Sequence, residues 1–395
     1  MSAVSPWKVV PLQNIAEQID YGLTASATDS GNGPKFLRIT DIQEDRVDWS
    51  TVPFCNCTEE DSKKYALMEG DIVFARTGAT TGKSFLVRSC PQGSVFASYL
   101  IRVRPSAKVV PSYLARFFQT PNYWNQINRS ATGTAQAGVN ASNLKKLAVP
   151  LPPLEEQRRI AAILDKADAV RRKRKEAIAL TEELLRSAFL DMFGDPVTNP
   201  KGWALSKLSD VCDKITDGTH HSPPTLNKGI PYITAKHLKV YGLDFFSDPW
   251  FVSEEDHKKI YTRCNPEQGD VLYIKDGVTT GIAAINNYDF EFSMLSSLAL
   301  LKVGKAIISE YLCDWLNNES VRTSHLKNVA GAAITRLTLT KIKDFYIPVP
   351  PLTLQIEYKI IRQKISKMMV NIRKEETEYS HLFNSLLQKA FRGEL

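Results

Sequence analysis

The stretch that decides the fold reads Pro150-Leu151-Pro152-Pro153-Leu154-Glu155-Glu156-Gln157. It returns 198 positions later as Pro348-Val349-Pro350-Pro351-Leu352, followed by Gln355. Proline fixes its own backbone and restricts the residue before it, so each copy ends the element that precedes it. A long run of helix-forming residues follows both copies. The sequence therefore predicts a stiff hinge and a long helix, made twice.

The repetition extends over the whole chain of 395 residues. Near the start of each copy, seven positions recur after 196 residues: Trp7, Leu12, Ile15, Gly22, Phe36, Leu37 and Ile42 match Trp203, Leu208, Val211, Gly218, Tyr232, Ile233 and Leu238. A glycine-rich stretch at 78–82 recurs at 277–281. This period is too long for a solenoid, so each copy is a folded body. We predict bodies at 1–150 and 196–348, each followed by a hinge and long helix at 151–195 and 349–395.

The two long helices are defined by their end signals. The first runs from Leu154 to about Met192, with Glu155 and Glu156 against the positive helix dipole and Gly194 as its stop. The second runs from Thr353, a suitable N-cap, to about Phe391. We expect both helices to be continuous.

Both helices carry apolar positions that alternate spacings of four and three, which is typical of a coiled-coil seam. The seam residues are Ala167, Arg171, Arg174, Ile178 and Leu185 in the first helix, and Ile365, Met369, Ile372, Glu376 and Phe383 in the second. The simplest partner for each helix is the other one, packed antiparallel, which would make a spacer of roughly 57 Å. The polar members, Arg171, Arg174 and Glu376, would set the register. The alternative is that each helix packs on its own body.

The bodies themselves read as short strands and helices. Ile72–Arg76 and Val271–Lys275 are β-like runs that end at glycine turns. One helix is predicted at 111–128 and its counterpart at 309–327. The fold class is therefore α+β: two similar α/β bodies separated by two long helices that form an antiparallel coiled coil, in an internal pseudo-two-fold duplication.

Composition indicates an intracellular protein with a mild basic excess. The net charge is +7, whereas residues 200–350 hold 17 Lys and Arg against 17 Asp and Glu. Six cysteines form no Cys-x-x-Cys pair, which favours reduced thiols over disulfides or zinc. No apolar run reaches the ~20 residues of a membrane helix, and the N-terminus lacks a secretory pattern. We expect a cytoplasmic location and no membrane partner.

Catalytic motifs are missing from the sequence. The segment Gly78-Ala79-Thr80-Thr81-Gly82-Lys83-Ser84 has three residues between its glycines, where a phosphate-binding loop needs four. There is no Gly-x-Gly-x-x-Gly fingerprint, and the first copy contains no histidine. A function performed by both copies therefore needs no histidine. We expect a protein that is not an enzyme and holds no metal or cofactor of its own.

The glycine stretches predict hairpins whose tips suit phosphates and base edges. The candidates in the first copy are Arg76, Thr77, Thr80, Thr81 and Lys83; those in the second are Lys275, Thr279 and Thr280. The alternative is a tight turn that needs glycine for its backbone alone. Both interpretations can hold together.

A second polar loop diverges between the copies. It contributes Thr134 and Gln136 in the first copy and Thr335 and Arg336 in the second. Arginine reads guanine and glutamine reads adenine, so a shared scaffold with different tips suits two different short sequences. Ordinary drift in an exposed loop is the alternative. Arg38 and Lys236, on β-like segments, are further DNA-binding candidates.

The duplicated hairpins, the Pro-Leu-Pro-Pro-Leu-Glu-Glu-Gln hinge and the closing residues 386–395 resemble the DNA-specificity subunit of Type I restriction–modification systems. The resemblance implies two target-recognition domains, each reading half of a split duplex DNA sequence, with the helices fixing the unread spacer. It implies two methyltransferase subunits as partners, an endonuclease subunit as a further one, and S-adenosylmethionine, ATP and Mg in those partners. The second hinge departs from the pattern because Thr353 and Leu354 replace the two glutamates.

A different class of function stays open on the sequence alone. The chain would then be a scaffold that holds two copies of a protein partner without reading DNA. The balanced charge of 200–350 favours this alternative.

Overall fold

The computed structural model describes residues 7–31, 33–131, 139–327 and 336–395. Its contacts divide the chain into two compact units. Unit 1 combines Met1–Lys175 with Lys374–Leu395, and unit 2 is Glu176–Arg373. Each unit therefore holds one body, the beginning of the long helix that follows it, and the end of the long helix from the other repeat.

Unit 1 contains twelve strands among its described residues: β1 Val9–Pro11, β2 Ala16–Tyr21, β3 Ala27–Thr28, β4 Phe36–Leu37, β5 Ile42–Gln43, β6 Arg46–Val47, β7 Phe54–Cys55, β8 Ile72–Ala75, β9 Ser84–Leu86, β10 Val95–Phe96, β11 Leu100–Pro105 and β12 Ala148–Pro150. Its helices are α1 Glu59–Lys64, α2 Pro111–Phe117, α3 Pro121–Ala131, α4 Ala141–Lys145 and the start of α5 Leu154–Phe193, with 3-10 turns at Leu12–Asn14 and Ile39–Asp41. The central sheet is antiparallel in the order β2-β11-β8-β9.

Unit 2 repeats this plan. Its strands are β13 Ala204–Lys207, β14 Cys212–Asp217, β15 Ile230–Ile233, β16 Leu238–Lys239, β17 Gly242–Leu243, β18 Phe251–Val252, β19 Val271–Ile274, β20 Ala283–Ile285, β21 Ser293–Met294, β22 Leu298–Val303 and β23 Tyr346–Val349. Its helices are α6 Leu208–Val211, α7 Glu254–Arg263, α8 Ser309–Asn317, α9 Glu319–Lys327, α10 Leu339–Lys343 and the start of α11 Leu352–Arg392, with a 3-10 turn at Ala235–His237. The central sheet has the matching order β14-β22-β19-β20.

The glutamine of the hinge motif makes the same hydrogen bonds in both units, which gives the motif a structural reason to recur. The side-chain oxygen of Gln157 accepts from the backbone N–H of Val110 at 2.8 Å, and its amide donates to the carbonyl of Pro152 at 2.8 Å. Gln355 does the same with Ile308 and Pro350, at 3.0 and 2.9 Å. Buried polar groups need such partners, so the glutamine connects the hinge to the residue that precedes α2 in unit 1 and α8 in unit 2.

The single helices predicted at 111–128 and 309–327 are wrong, because each is broken in two. The first piece, α2, ends at Phe117. The Thr120 hydroxyl accepts from the backbone N–H of Tyr123 at 3.2 Å, and Pro121 begins the second piece, α3. In unit 2, the side chain of Asn318 accepts from the N–H of Ser320 at 3.0 Å. Both breaks are N-caps in the middle of an apolar pattern.

The two long helices are confirmed, and they pack antiparallel within each unit. In unit 1, the beginning of α5 meets the end of α11, and in unit 2 the end of α5 meets the beginning of α11. Both helices end at a glycine in the left-handed region, Gly194 with φ 80° and Gly393 with φ 77°. The N-terminal part of each helix also packs on its own body, so pairing and packing on the body occur together.

The core of each body is completed by the helix end from the other repeat. In unit 1, the Phe391 ring lies 5.0 Å from the Tyr113 ring. In unit 2, the Phe193 ring lies 4.8 Å from the Tyr311 ring and 5.2 Å from the Tyr358 ring. These aromatic side chains are buried. A body without that helix end would expose part of its own core.

The predicted seam residues lie along these helix contacts. In unit 1, the Arg171 guanidinium is 4.7 Å above the Phe383 ring, and Arg174 pairs with Glu375 at 2.7 Å. Ala167 packs on the unit 1 core, and Glu376 accepts from the Ser380 hydroxyl at 2.9 Å. In unit 2, the remaining seam residues are buried or half-buried: Ile178, Leu185, Ile365, Met369 and Ile372. The role of the polar members in setting the register stays a prediction.

Replacing Phe193 with alanine should destabilise unit 2, because it leaves a cavity among three aromatic rings. We expect the free energy of unfolding to fall by about 3–5 kcal/mol. Leu190→Ala, on the same helix but 43% exposed, should change it by no more than about 0.5 kcal/mol. Urea denaturation followed by circular dichroism measures both. Equal effects of the two variants would show that this helix end does not complete the core.

Candidate nucleic-acid interface

The predicted hairpin is confirmed in both units. β8 pairs with β9 and β19 pairs with β20, both antiparallel. The tip is closed by the N–H of Gly82, which donates to the carbonyl of Ala75 at 2.9 Å, and by the Thr81 hydroxyl, which donates to the carbonyl of Gly78 at 2.6 Å. Gly78 and Gly82 have φ of 85° and 82°, so the turn does require glycine. Glycine therefore has a structural reason to recur here.

One residue at the base of each hairpin joins three loops. The N–H of Arg76 donates to the carbonyl of Tyr99 at 3.0 Å, and its carbonyl accepts from the N–H of Val139 at 3.1 Å. Lys275 repeats both bonds, with Ser297 at 2.9 Å and Leu337 at 2.7 Å. Val139 and Leu337 belong to the C-terminal end of the second polar loop, which spans 129–140 in the first copy and 327–337 in the second. The base of the hairpin, the turn before β11 or β22, and the end of the polar loop thus meet at one edge of the central sheet, the edge formed by the ends of its strands.

The candidates on the first hairpin reach solvent to different degrees. Arg76 is exposed, with its guanidinium 4.8 Å above the ring of Tyr21 at the end of β2. Thr77 and Lys83 are also exposed, whereas Thr80 and Thr81 are half-buried. Three loops with two exposed cations form a surface that can contact a polyanion.

Lys275 does not have the surface position that we expected from the sequence. It is only 3% exposed, and its ammonium lies 3.3 Å from the carboxylate of Asp217. Asp217 occupies the place of Tyr21, so a cation–π contact in one unit is a buried ion pair in the other. Thr280 is also buried, and its hydroxyl donates to the carbonyl of Gly277 at 2.6 Å. Thr279 alone of the three is exposed on its hairpin.

Asp217 contacts two further basic side chains that the sequence did not single out. Arg263 donates to one carboxylate oxygen, and His220 lies 3.2 Å from the other. The side chains of Arg263 and His220 are about half exposed, at 53% and 51%. In unit 1, Tyr21 and Tyr99 are exposed aromatic residues at the same edge. Tyr21 and Asp217 could have been found from the sequence, because each directly precedes a glycine that recurs between the copies, Gly22 and Gly218.

The remaining candidates are paired with acids or lie outside the described ranges. Arg336 is exposed, and its Nε is 3.6 Å from Asp276. Arg38 is bound by Asp41 at 2.7 Å, and this hydrogen bond raises the pKa of the arginine. Lys236 lies 3.3 Å above the Trp250 ring and 2.6 Å from Asp248. The other three predicted residues fall outside the described residues: Thr134, Gln136 and Thr335.

The histidines of the second repeat make local contacts. His237 is buried, and its Nδ1 accepts from the N–H of Thr234 at 2.9 Å. Burial lowers the pKa of His237 and lowers that of His325 to about 4, so both are neutral at pH 7. Within the described ranges, no group of three His, Cys, Asp or Glu side chains is arranged to hold a metal ion. None of the described helices is both long and apolar enough to span a bilayer.

The sequence matches the model of a known family. The model of the type I restriction modification DNA specificity domain matches residues 5–180 and 200–380. The chain therefore belongs to this family and is a DNA specificity subunit with two recognition domains. Such subunits bind DNA in a complex with modification and restriction subunits, are themselves non-catalytic, and leave catalysis to those partners.

Individual relatives agree with this assignment. The chain is 25% identical to the putative specificity subunit of the type I restriction enzyme MjaX of Methanocaldococcus jannaschii, over 94% of this chain and 89% of the relative. It is 28% identical to the specificity subunit of EcoKI of Escherichia coli over 198 residues, 47% of this chain and 43% of the relative.

Two solved structures are similar in fold. The S subunit of a type I restriction–modification system from M. genitalium has a TM-score of 0.60 and 16% identity, with 99% of this chain and 97% of that one covered. A chain from a study of complex assembly in a type I system has a TM-score of 0.52 and 22% identity, and both chains are covered in full.

Lys275 and Arg76 should differ when each is replaced by methionine. Lys275→Met removes a cation from the buried Asp217, so we expect the free energy of unfolding to fall by about 1–3 kcal/mol. Arg76→Met removes an exposed contact with Tyr21 and should cost no more than about 1 kcal/mol. Urea denaturation of both variants measures this. Unchanged stability of Lys275→Met together with weaker DNA binding would place that ammonium on the DNA instead.

Proposed function

We propose that this chain directs adenine methylation to a split and asymmetric duplex DNA sequence. Each recognition domain reads one half of the target, and the paired helices fix the number of unread base pairs between the halves. The observation that carries the proposal is the junction at Arg76 and Lys275. The backbone hydrogen bonds of these two residues are the same in both units, whereas their side chains have different partners.

The divergence at this junction supports two different half-sites. Arg76 stacks on Tyr21, whereas Lys275 is withdrawn onto Asp217 and leaves Arg263 as the half-exposed cation. Base reading depends on which donors and acceptors reach the groove. Two domains that place different groups at the same edge recognise different bases, so the target is asymmetric.

The helices support a fixed spacing. α5 and α11 are continuous over 40 and 41 residues, and each contributes to both units. A paired helix of this kind resists bending because its side chains interlock along the seam. The number of base pairs between the half-sites is then a property of helix length.

The same helices are the surface to which we assign two modification subunits. On α11, the exposed apolar residues Leu352, Ile356 and Ile360 recur every four positions. The equivalent positions on α5 hold Leu154, Arg158 and Ala162, so the stripe there is interrupted by an arginine. Exposed apolar stripes of this kind typically mark protein contacts. S-adenosylmethionine belongs to those modification subunits, and ATP with Mg to a restriction subunit. The complex acts in the cytoplasm.

Arg336→Ala tests the proposal in cells that contain the modification subunit. Adenine methylation across the genome should show one split motif with the wild-type chain and lose it without the chain. With Arg336→Ala, one position in one half of the motif should become degenerate, because a bidentate arginine contributes about 1–3 kcal/mol of discrimination. Lys343→Ala, an exposed cation on α10, is the control and should leave the motif unchanged.

Two results would contradict the proposal. One is that no motif is lost when the chain is absent. The other is that methylated sites are not split into two halves.

A further inference from the structure

A short hairpin in unit 1 has a strained turn made of two acidic residues. β5 and β6 pair Ile42 with Val47 and Gln43 with Arg46, which leaves Glu44 and Asp45 as the whole loop. Both residues have positive φ, 50° and 60°. Two-residue loops of this kind favour Asn-Gly, because side chains with a Cβ are disfavoured in the left-handed region. A strained turn of this composition persists only where other contacts stabilise it.

The shorter of those contacts come from the long helix, while Arg88, just after β9, lies 3.7 Å from Asp45. Lys175 on α5 donates to the Glu44 carboxylate at 2.5 Å, and Arg172, one turn earlier, donates to Asp45. The hydrogen bond from Lys175 lowers the pKa of Glu44, so the carboxylate is charged at neutral pH. We call the two residues Glu44 and Asp45 the acidic turn.

The helix side of this contact is itself fixed. Arg172 also donates to the buried Asp168 at 2.9 Å, which in turn accepts from Arg116 at 3.0 Å and from Arg171 at 2.6 Å. Burial alone would raise the pKa of Asp168, but the three guanidinium groups outweigh it and hold that pKa below its usual range. Arg172 is therefore held in place for Asp45, with little rotamer freedom to lose on pairing.

Unit 2 keeps the contact but changes its chemistry. Its equivalent hairpin, β16–β17, turns at Val240 and Tyr241, and Gly242 takes the positive φ of 134°. Arg373 is the counterpart of Lys175, and its guanidinium lies 4.2 Å above the Tyr241 ring. Val370 replaces Arg172. The docking of this hairpin on the helix thus occurs in both repeats, through ion pairs in one and through an aromatic ring in the other.

The hairpin is linked to the DNA-facing tip by the core. Ile42 and Val47 pack in one apolar cluster with Val73 of β8 and Phe85 of β9. Those two strands carry the tip that follows Arg76. A contact that fixes the hairpin on α5 therefore fixes the strands of the tip as well.

We propose that Glu44 and Asp45 are positioning residues of the first recognition domain, holding its DNA-reading tip in a set orientation on α5. This inference rests on the proposed function. The strain of the turn is retained because the two carboxylates hold the domain where its tip can discriminate bases. In unit 2, Tyr241 and Arg373 do this without ionic pairs.

Glu44→Asn with Asp45→Gly separates this role from a purely structural one. The double variant relieves the turn and removes three ion pairs, that of Glu44 with Lys175 and those of Asp45 with Arg172 and Arg88. We expect its unfolding temperature to equal or exceed that of the wild type. The assay is methylation by the full complex of duplexes that carry single mismatches in either half-site. Discrimination is the ratio of the methylation rate of the matched duplex to that of a mismatched duplex. It should fall about two- to fivefold, which is the effect of one or more exposed ion pairs. It should fall only in the half-site that responds to Arg76→Ala.

A charge exchange gives a second, independent readout. Glu44→Lys and Lys175→Glu should each lower discrimination in that half-site, and the combined variant should restore it, because the pair is re-formed with opposite polarity. Lys173→Glu, two residues away and exposed, is the matched control and should have no effect.

The possible failures are distinguishable. Unchanged discrimination in the Asn-Gly variant, equal losses in both half-sites, or no restoration in the exchanged pair would overturn the inference. If the wild-type complex itself fails to discriminate mismatches in either half-site, the proposed function is wrong and the role of the acidic turn is not what failed.

Discussion

The core of each unit depends on the burial of a helix end that comes from the other repeat. Phe391 of α11 enters the core beside Tyr113 and Phe117, and Phe193 of α5 enters the core beside Tyr311. A large aromatic side chain contributes several kcal/mol when buried, and each unit has such side chains supplied from a distant part of the chain. The pairing of the long helices is therefore part of how each body folds.

This arrangement explains why the two repeats could diverge in sequence and still keep the same contacts between body and helix. Arg116 of α2 pairs with Asp165 and Asp168 of α5, whereas its counterpart Asp314 of α8 pairs with Arg362 of α11. The sign of the charges is reversed while the contact between body and helix is kept. The same kind of exchange occurs at the edge of the central sheet, where the contact of Tyr21 with Arg76 is replaced by that of Asp217 with Lys275. Pairs of residues change together, and the backbone bonds around them stay the same.

Much of this was predictable from the sequence, and the failures have physical reasons. The hinge, the long helices and the hairpins follow from proline, glycine and apolar spacing, which act locally. The helix breaks at Thr120 and Asn318 were missed because polar caps inside an apolar pattern look like surface residues. The burial of Lys275 was missed because it depends on Asp217, which lies far away along the chain.

The acidic turn gave no signal in the sequence for a related reason. Glu44 and Asp45 are ordinary in composition, and only the backbone angles and the partners on α5 set them apart. Three predicted DNA contacts, Thr134, Gln136 and Thr335, lie outside the described residues and stay predictions. Local sequence signals thus predicted the hinge, the long helices and the hairpins. The roles of residues that depend on distant partners could be found only from the structure.

The proposed function requires that the paired helices, through their fixed length, set the distance between the two half-sites. Inserting one heptad after Lys175 and another after Arg373 tests it, because seven residues keep the seam in register and lengthen the pair by about 10 Å. That is roughly three base pairs at ~3.4 Å each. Adenine methylation would be mapped across the genome with the lengthened chain, after circular dichroism confirms that it folds. We predict that the parental motif is no longer methylated and that any new motif keeps both half-sites with a longer spacer. Continued methylation of the parental motif with its original spacer would contradict the account.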